Sequence, residues 1–170
     1  MLATHQDAER RYEALRRVAI DAAQRDAPTG LRYEAISPAA LNAARLWMSV
    51  QGRRVDWDWL SGYAAFKFRY PKRFELALWE PTGLLALSLG RPTYEGEHLR
   101  LDFLEARPKE LGSRPPVMVN ILVAYGIYAR LLNAKQIRIM HPINEQVRAH
   151  YQSFGYTYFA KQDYLFKQVF

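Results

Sequence analysis

At Pro71 the hydrophobic period of the chain changes from 3.6 residues to 2, and few folds accommodate that change. Before it, apolar residues recur at helical spacing. Tyr12, Leu15, Val18, Ala19 and Ala22 mark one face of a helix over residues 7–24, with Arg and Glu on the other face. Ala27-Pro28-Thr29-Gly30 reads as a turn, and Ser37-Pro38 as an N-cap with proline at the first helical position. The helix so begun runs to about Val50 and ends at Gly52-Arg53-Arg54. A third, with Trp57, Leu60, Ala64 and Phe68 on one face, spans 57–68. After Pro71, Phe74, Leu76 and Leu78 alternate with Glu75, Ala77 and Trp79, as in a strand. Pro81-Thr82-Gly83 turns into a nearly all-apolar strand, 84–89. A loop over 90–96 follows, and then Leu99, Leu101 and Phe103 alternate with His98, Arg100 and Asp102. Short turns between the three strands imply an antiparallel meander.

The period then returns to helical. Residues 117–132 form an apolar run of 16 residues that contains Asn120 and Arg130. It is too short and too polar to span a bilayer, so it reads as a buried helix that begins at Pro115-Pro116. Apolar on all sides, it needs cover on two sides, from the N-terminal helices or from another subunit. Strand 136–140, helix 144–154 closed by Gly155, and strands 156–159 and 164–169 complete the order. The strand–helix–strand unit carries a right-handed crossover. We read residues 1–170 as one α/β (α+β mixed) domain. Residues 1–70 form a variable helical segment and 71–170 the sheet core.

Composition narrows the functions. At 49% hydrophobic and 14% aromatic residues the chain can build a packed core. It has no cysteine, which removes disulfides, thiolate metal sites and a cysteine nucleophile, and fits a reducing cytoplasm. The start lacks the basic and apolar regions of a secretory signal. The four histidines are scattered without metal-ligand spacing. Lys plus Arg less Asp plus Glu is 24 − 17 = +7, a balance that favours anionic partners, though no basic run is dense enough for a nucleic-acid tail.

One stretch is more specific. Asn144-Glu-Gln-Val-Arg-Ala-His-Tyr151-Gln-Ser-Phe-Gly155-Tyr156 follows the short strand at 136–140. It resembles a recurrent helix of the GNAT (Gcn5-related) N-acetyltransferase superfamily: Asn, seven positions to Tyr, then Gly and an aromatic residue. The likeness covers roughly 74–170. It implies the GNAT-like acyl-CoA N-acyltransferase fold, a mostly antiparallel sheet whose central parallel strand pair splays. The implied cofactor is acetyl-CoA or another acyl-CoA, with an amine acceptor, in a cytoplasmic, membrane-free protein. Its amide-bearing tail would lie along the splayed strands at Phe103 and Leu104, and its diphosphate at the N-terminus of the 117–132 helix, at Val117 and Met118. By the same resemblance Tyr151 is the general acid that protonates the departing thiolate, a role open to a phenol whose ordinary pKa is about 10. Asn144 caps its helix and, by resemblance, reaches the cofactor arm.

The chain also departs from the family. The usual diphosphate signature, Arg or Gln, two residues, Gly, one residue, Gly or Ala, falls on Ser113-Arg114-Pro115-Pro116-Val117-Met118, without either glycine; Lys109-Glu-Leu-Gly112-Ser-Arg114 is an offset, partial match. Glycines let backbone wrap phosphate, and proline removes an N–H donor. Arg107, Lys109 and Arg114 would supply charge in their place. Glu105, expected on the face of Leu101 and Phe103, is the candidate general base. Asp102 is expected on the opposite face, and His141 is expected as a loop residue. The aromatic group Trp57, Trp59, Tyr63, Phe66, Phe68 and Tyr70 is either core or the lining of an acceptor pocket. Two functions follow: an acyl-CoA-dependent N-acetyltransferase, or a GNAT-like domain that binds a protein or nucleic acid without transfer. A homodimer is compatible with either.

Overall fold

The structure, a computed structural model, describes residues 4–170. Thr4 opens the first helix, α1 (His5–Arg25), in a reciprocal cap: its hydroxyl accepts from the Asp7 N–H, and the Asp7 carboxylate accepts from the Thr4 N–H. Two further helices are α2 (Pro38–Met48), capped by Ser37, and α3 (Trp59–Arg69), capped by Asp58. Between α1 and α2 runs a three-residue strand, β1 (Arg32–Glu34). Sequence periodicity missed it, because three residues are too few to show a period.

The sheet continues with β2 (Phe74–Glu80), β3 (Gly83–Pro92), β4 (His98–Ala106), β5 (Gln136–Met140), β6 (Thr157–Phe159) and β7 (Tyr164–Gln168). Its order is β1-β2-β3-β4-β5-β7-β6, and among the described residues only β4 and β5 pair in parallel. Helix α4 (Met118–Leu131) crosses between them, and α5 (Glu145–Ser153) links β5 to β6. β3 extends to Pro92, through part of the segment expected as a loop. α4 starts at Met118, not at the prolines, since Pro115 and Pro116 stay in extended loop before it.

Two apolar layers sandwich the sheet. On one face Ala19, Ile20 and Ala23 of α1 and Ile121, Ala124, Tyr125 and Tyr128 of α4 pack against Phe74, Leu76, Leu78, Leu99 and Leu101. α4 is therefore covered by the sheet on one side and by α1 on the other, while Val119 and Val123 remain 41% and 47% exposed, so its apolar circumference is covered only in part within this chain. On the other face Ala40, Ala44, Trp47, Trp59, Tyr63 and Phe66 cover Leu84, Leu87 and Leu89. Each fully buried Leu or Phe here contributes about 1.5–3 kcal/mol. The face expected for α3 is off by one position: Trp59, Tyr63 and Phe66 are buried and Phe68 is 75% exposed. In α1, likewise, Val18 lies outside and Ile20 inside.

Candidate active site

Pairing between β4 and β5 runs from His98↔Gln136 to Leu101↔Ile139 and stops. β5 ends one residue later, while β4 continues to Ala106 with β3 as its only neighbour. The change coincides with a bulge. Leu89 faces Phe103 and Gly90 faces Leu101, so Asp102 is an extra residue in β4. Gly90 makes the bulge feasible, since a Cβ there would lie 2.1 Å from the Arg100 carbonyl oxygen and 2.7 Å from the Tyr125 ring.

The bulge corrects the facing of β4. Leu101 points into the α1/α4 core, whereas Phe103 packs against the α2/α3 core. Glu105 follows Phe103 to that second face, not Leu101, because one inserted residue shifts a period of two by a full step. Beyond the bulge, the Arg107 N–H donates to the Leu85 carbonyl. Antiparallel alternation then turns the backbone groups of Glu105 and Phe103 toward β3 as well, and leaves those of Leu104 and Ala106 at the edge that β5 has abandoned. That edge is a short row of peptide groups without a strand partner. Of the two strand residues expected along a cofactor tail, Leu104 presents its backbone there. Phe103 does not: its ring stacks on Trp57, with centroids 3.8 Å apart.

Glu105 is engaged elsewhere. It is 3% exposed; its carboxylate accepts from Arg53 Nε at 2.6 Å, Arg53 Nη2 at 2.9 Å and Trp59 Nε1 at 2.6 Å. Arg53 in turn donates to the Trp57 carbonyl. Held by a bidentate guanidinium and an indole, the Glu105 carboxylate anchors the α2–α3 loop to the sheet. Asp102 is the less saturated acid. Arg100 donates to its Oδ1 at 3.1 and 2.5 Å, its buried Oδ2 has no hydrogen-bond donor, and burial raises its pKa above the ordinary carboxylate value against the pull of Arg100 and Arg91.

Tyr151, on α5, is buried among Tyr156 and the α1/α4 core, 6.1 Å from the Tyr156 ring. Burial, and then the neighbouring Tyr156, raises its pKa, so the phenol stays protonated at neutral pH. The Tyr125 side chain is fully buried beside the bulge, its ring against Gly90. Asn144 caps α5, its Oδ1 accepting from the Val147 N–H at 2.9 Å. His141 is a loop residue in left-handed conformation (φ 50°), its Nδ1 3.3 Å from Asp163 Oδ2.

Val117 and Met118 are buried at the start of α4, which has no side-chain cap, so the first-turn N–H groups have no intrahelical acceptor. Arg107 is 8% exposed and its Nη2 donates to Glu80 at 2.5 Å and to the Ser113 carbonyl at 2.6 Å. It braces the loop before α4 rather than offering a free charge. Gly112 takes φ 122°, a region open essentially to glycine, within the partial match to the signature. Arg114 is exposed, and partial burial together with Arg107 and Arg54 lowers its pKa. Of the aromatic group, Trp59, Tyr63 and Phe66 are core, and only Trp57 and Tyr70 are half-exposed toward the β4 bulge, where Arg91 stacks on Tyr70 at 4.4 Å.

Around the end of β4, the α2–α3 loop and the loop before α4 enclose a cavity of about 280 Å³. Its cationic lining includes Arg53 and Arg54, which the sequence marks only as a helix stop.

No protein-family model and no curated protein matches the sequence. Solved structures do. Ard1 from Thermoplasma volcanium superposes with a TM-score of 0.58 over 84% of this chain and 99% of its own, at 11% identity. A variant of spermidine N-acetyltransferase SpeG from Vibrio cholerae gives 0.59 over 83% and 95%, at 12% identity. PaiA N-acetyltransferase from Thermoplasma acidophilum in complex with coenzyme A gives 0.53 over 82% and 99%, also at 12%. At these identities the likeness is one of fold, and the chain's seven-stranded, mostly antiparallel sheet with one parallel pair, flanked by helices, is the fold of the GNAT N-acetyltransferases.

Proposed function

We propose that the chain is an N-acyltransferase that moves an acetyl group from acetyl-CoA, or another acyl group from its CoA thioester, to an amine. The observation that carries this reading is the abandoned edge of β4, where the peptide groups of Leu104 and Ala106 face no strand. A chain of amides laid along it completes the ladder as an added strand would. The described residues fit the cofactor at both ends. The edge takes amides, and the uncapped start of α4 at Val117 and Met118 favours an anion. Bound there, acyl-CoA supplies a thioester carbonyl open to attack by an amine. Tyr151 holds a proton on its hydroxyl for the thiolate, and burial ensures that the proton is present at neutral pH. Asn144 orients α5 through its cap and so sets the position of Tyr151.

The alternative, a fold retained for binding a protein or nucleic acid, draws on the missing signature glycines and the net charge of +7. One experiment separates the two. With acetyl-CoA as ligand and a panel of amines as acceptors, Tyr151→Phe is expected to keep thermal stabilisation by acetyl-CoA and to lose on the order of 10²-fold or more in kcat. Full turnover in Tyr151→Phe would remove the general acid. A wild type that acetyl-CoA does not stabilise would remove the enzyme reading itself.

A further inference from the structure

The cavity at the end of β4 is built from two segments far apart in sequence. The α2–α3 loop contributes Arg53 and Arg54, and the segment before α4 contributes Lys109, Glu110 and Arg114. Its lining charges are four cations against Glu105 and Glu110, 4 − 2 = +2. The carboxylates are disposed unevenly. Glu105 is taken by Arg53, and Glu110 is folded over Gly52, where a Cβ would fall 2.0 Å from its Oε1. Arg107, beneath, is taken by Glu80. Arg54, Lys109 and Arg114 have no ion-pair partner among the described residues, and burial first, then Arg107 and Arg54, lowers the pKa of Arg114. Three unpaired cations that converge on one cavity repel each other until an anion joins them.

We infer that this cavity is a two-sided clasp for a polyphosphate, with Arg54 on the α2–α3 loop and Lys109 and Arg114 on the opposite loop as its jaws. The inference rests on the acyl-CoA reading and specifies how this chain holds the cofactor's phosphates. Side-chain cations from both loops replace the backbone nest that two missing glycines would have formed. Arg107 and Glu105, the latter through Arg53, hold the jaws in place and do not touch the phosphates. The loop carrying Arg54 is then joined to the rest of the site by the ligand itself.

Calorimetric titration of the full chain with coenzyme A and with pantetheine, which lacks every phosphate, tests this directly. The double variant Arg54→Gln/Lys109→Gln is expected to bind coenzyme A about tenfold or more weakly, with a shallower dependence on salt, and to bind pantetheine as the wild type does. Amide hydrogen exchange over 52–55 is expected to slow when coenzyme A binds and not when pantetheine binds. Unchanged coenzyme A affinity in the double variant, with the wild type binding normally, would overturn the clasp and leave the acyltransferase reading standing. An equal weakening for both ligands would also overturn it, since the two cations would then act on the part of the ligand that carries no phosphate. A wild type that binds neither ligand would overturn both readings.

Discussion

Two clusters of arginines lie at opposite parts of this molecule, and they are built on opposite terms. Where α1 meets β2, Arg16 and Arg73 are 3% and 1% exposed, and nearly every donor is matched. Glu9 bridges the two guanidiniums at 2.5, 2.8 and 2.9 Å, Glu75 meets Arg73 at 3.1 Å, the Tyr63 hydroxyl donates to Glu75, and Arg16 donates to the Pro71 carbonyl at 2.9 Å. At the end of β4, Arg54, Lys109 and Arg114 are exposed around a cavity and have no ion-pair partner among the described residues. Buried cations that have spent their donors on the protein are scaffold: they bind the N-terminal helix to the sheet. Cations held apart from their own carboxylates around an opening are available to a ligand. The net charge of +7 does not separate the two kinds; pairing does.

The sharpest way to break this contrast is at the matched cluster. Arg73→Ala strands Glu75 in the core and is expected to cost about 3–5 kcal/mol of unfolding free energy in denaturant titration. A cost below about 1 kcal/mol would mean that the cluster is not scaffold. A smaller effect is expected from acid. Burial alone would raise the pKa of Glu9, but Arg73 and Arg16 outweigh it and hold the carboxyl below the ordinary carboxylate value. Its folded pKa thus lies below its unfolded one, so its contribution is complete above about pH 4–5 and is lost as pH falls through the folded value. Wild type and Glu9→Gln are expected to differ in stability at pH 7 and to converge as pH falls through the lowered folded pKa of Glu9; a gap independent of pH would assign the effect to packing. The smallest change is expected at the cavity. Arg54→Gln and Arg114→Gln should shift stability by no more than about 0.5 kcal/mol, because neither cation has a partner to lose. A large loss in either would show it to be scaffold too.

Much of the fold was legible because it rests on period. The meander, the apolar crossover helix and the Asn144–Tyr151 helix all announce themselves in spacing. What escaped depends on single residues or distant pairs. The bulge at Asp102 leaves the written alternation of β4 intact while turning its second half over. Only Gly90, on the partner strand and needed because backbone and the Tyr125 ring approach it, hints at it. The α3 face slipped by one because Phe68 lies on the exposed side opposite the buried Trp59, Tyr63 and Phe66, so its periodicity is weak. In the candidate site, Tyr151 and Asn144 could be named from a motif within one helix. The pairing of Glu105 with Arg53, across 52 positions, could not, since an ion pair between segments leaves no local pattern. For the same reason Arg54 read only as part of a helix stop until the fold set it around one opening with Lys109 and Arg114.

The central claim is that the edge of β4 beyond the bulge is vacant for an amide-bearing ligand. Residue-resolved amide hydrogen exchange, with and without saturating acetyl-CoA, examines it most directly. Leu104 and Ala106 are expected to exchange fast in the free protein and to gain protection on binding, while Phe103 and Glu105, already paired with β3, stay protected throughout. Protection of Leu104 and Ala106 before any ligand is added, or no change at either when acetyl-CoA binds, would contradict it.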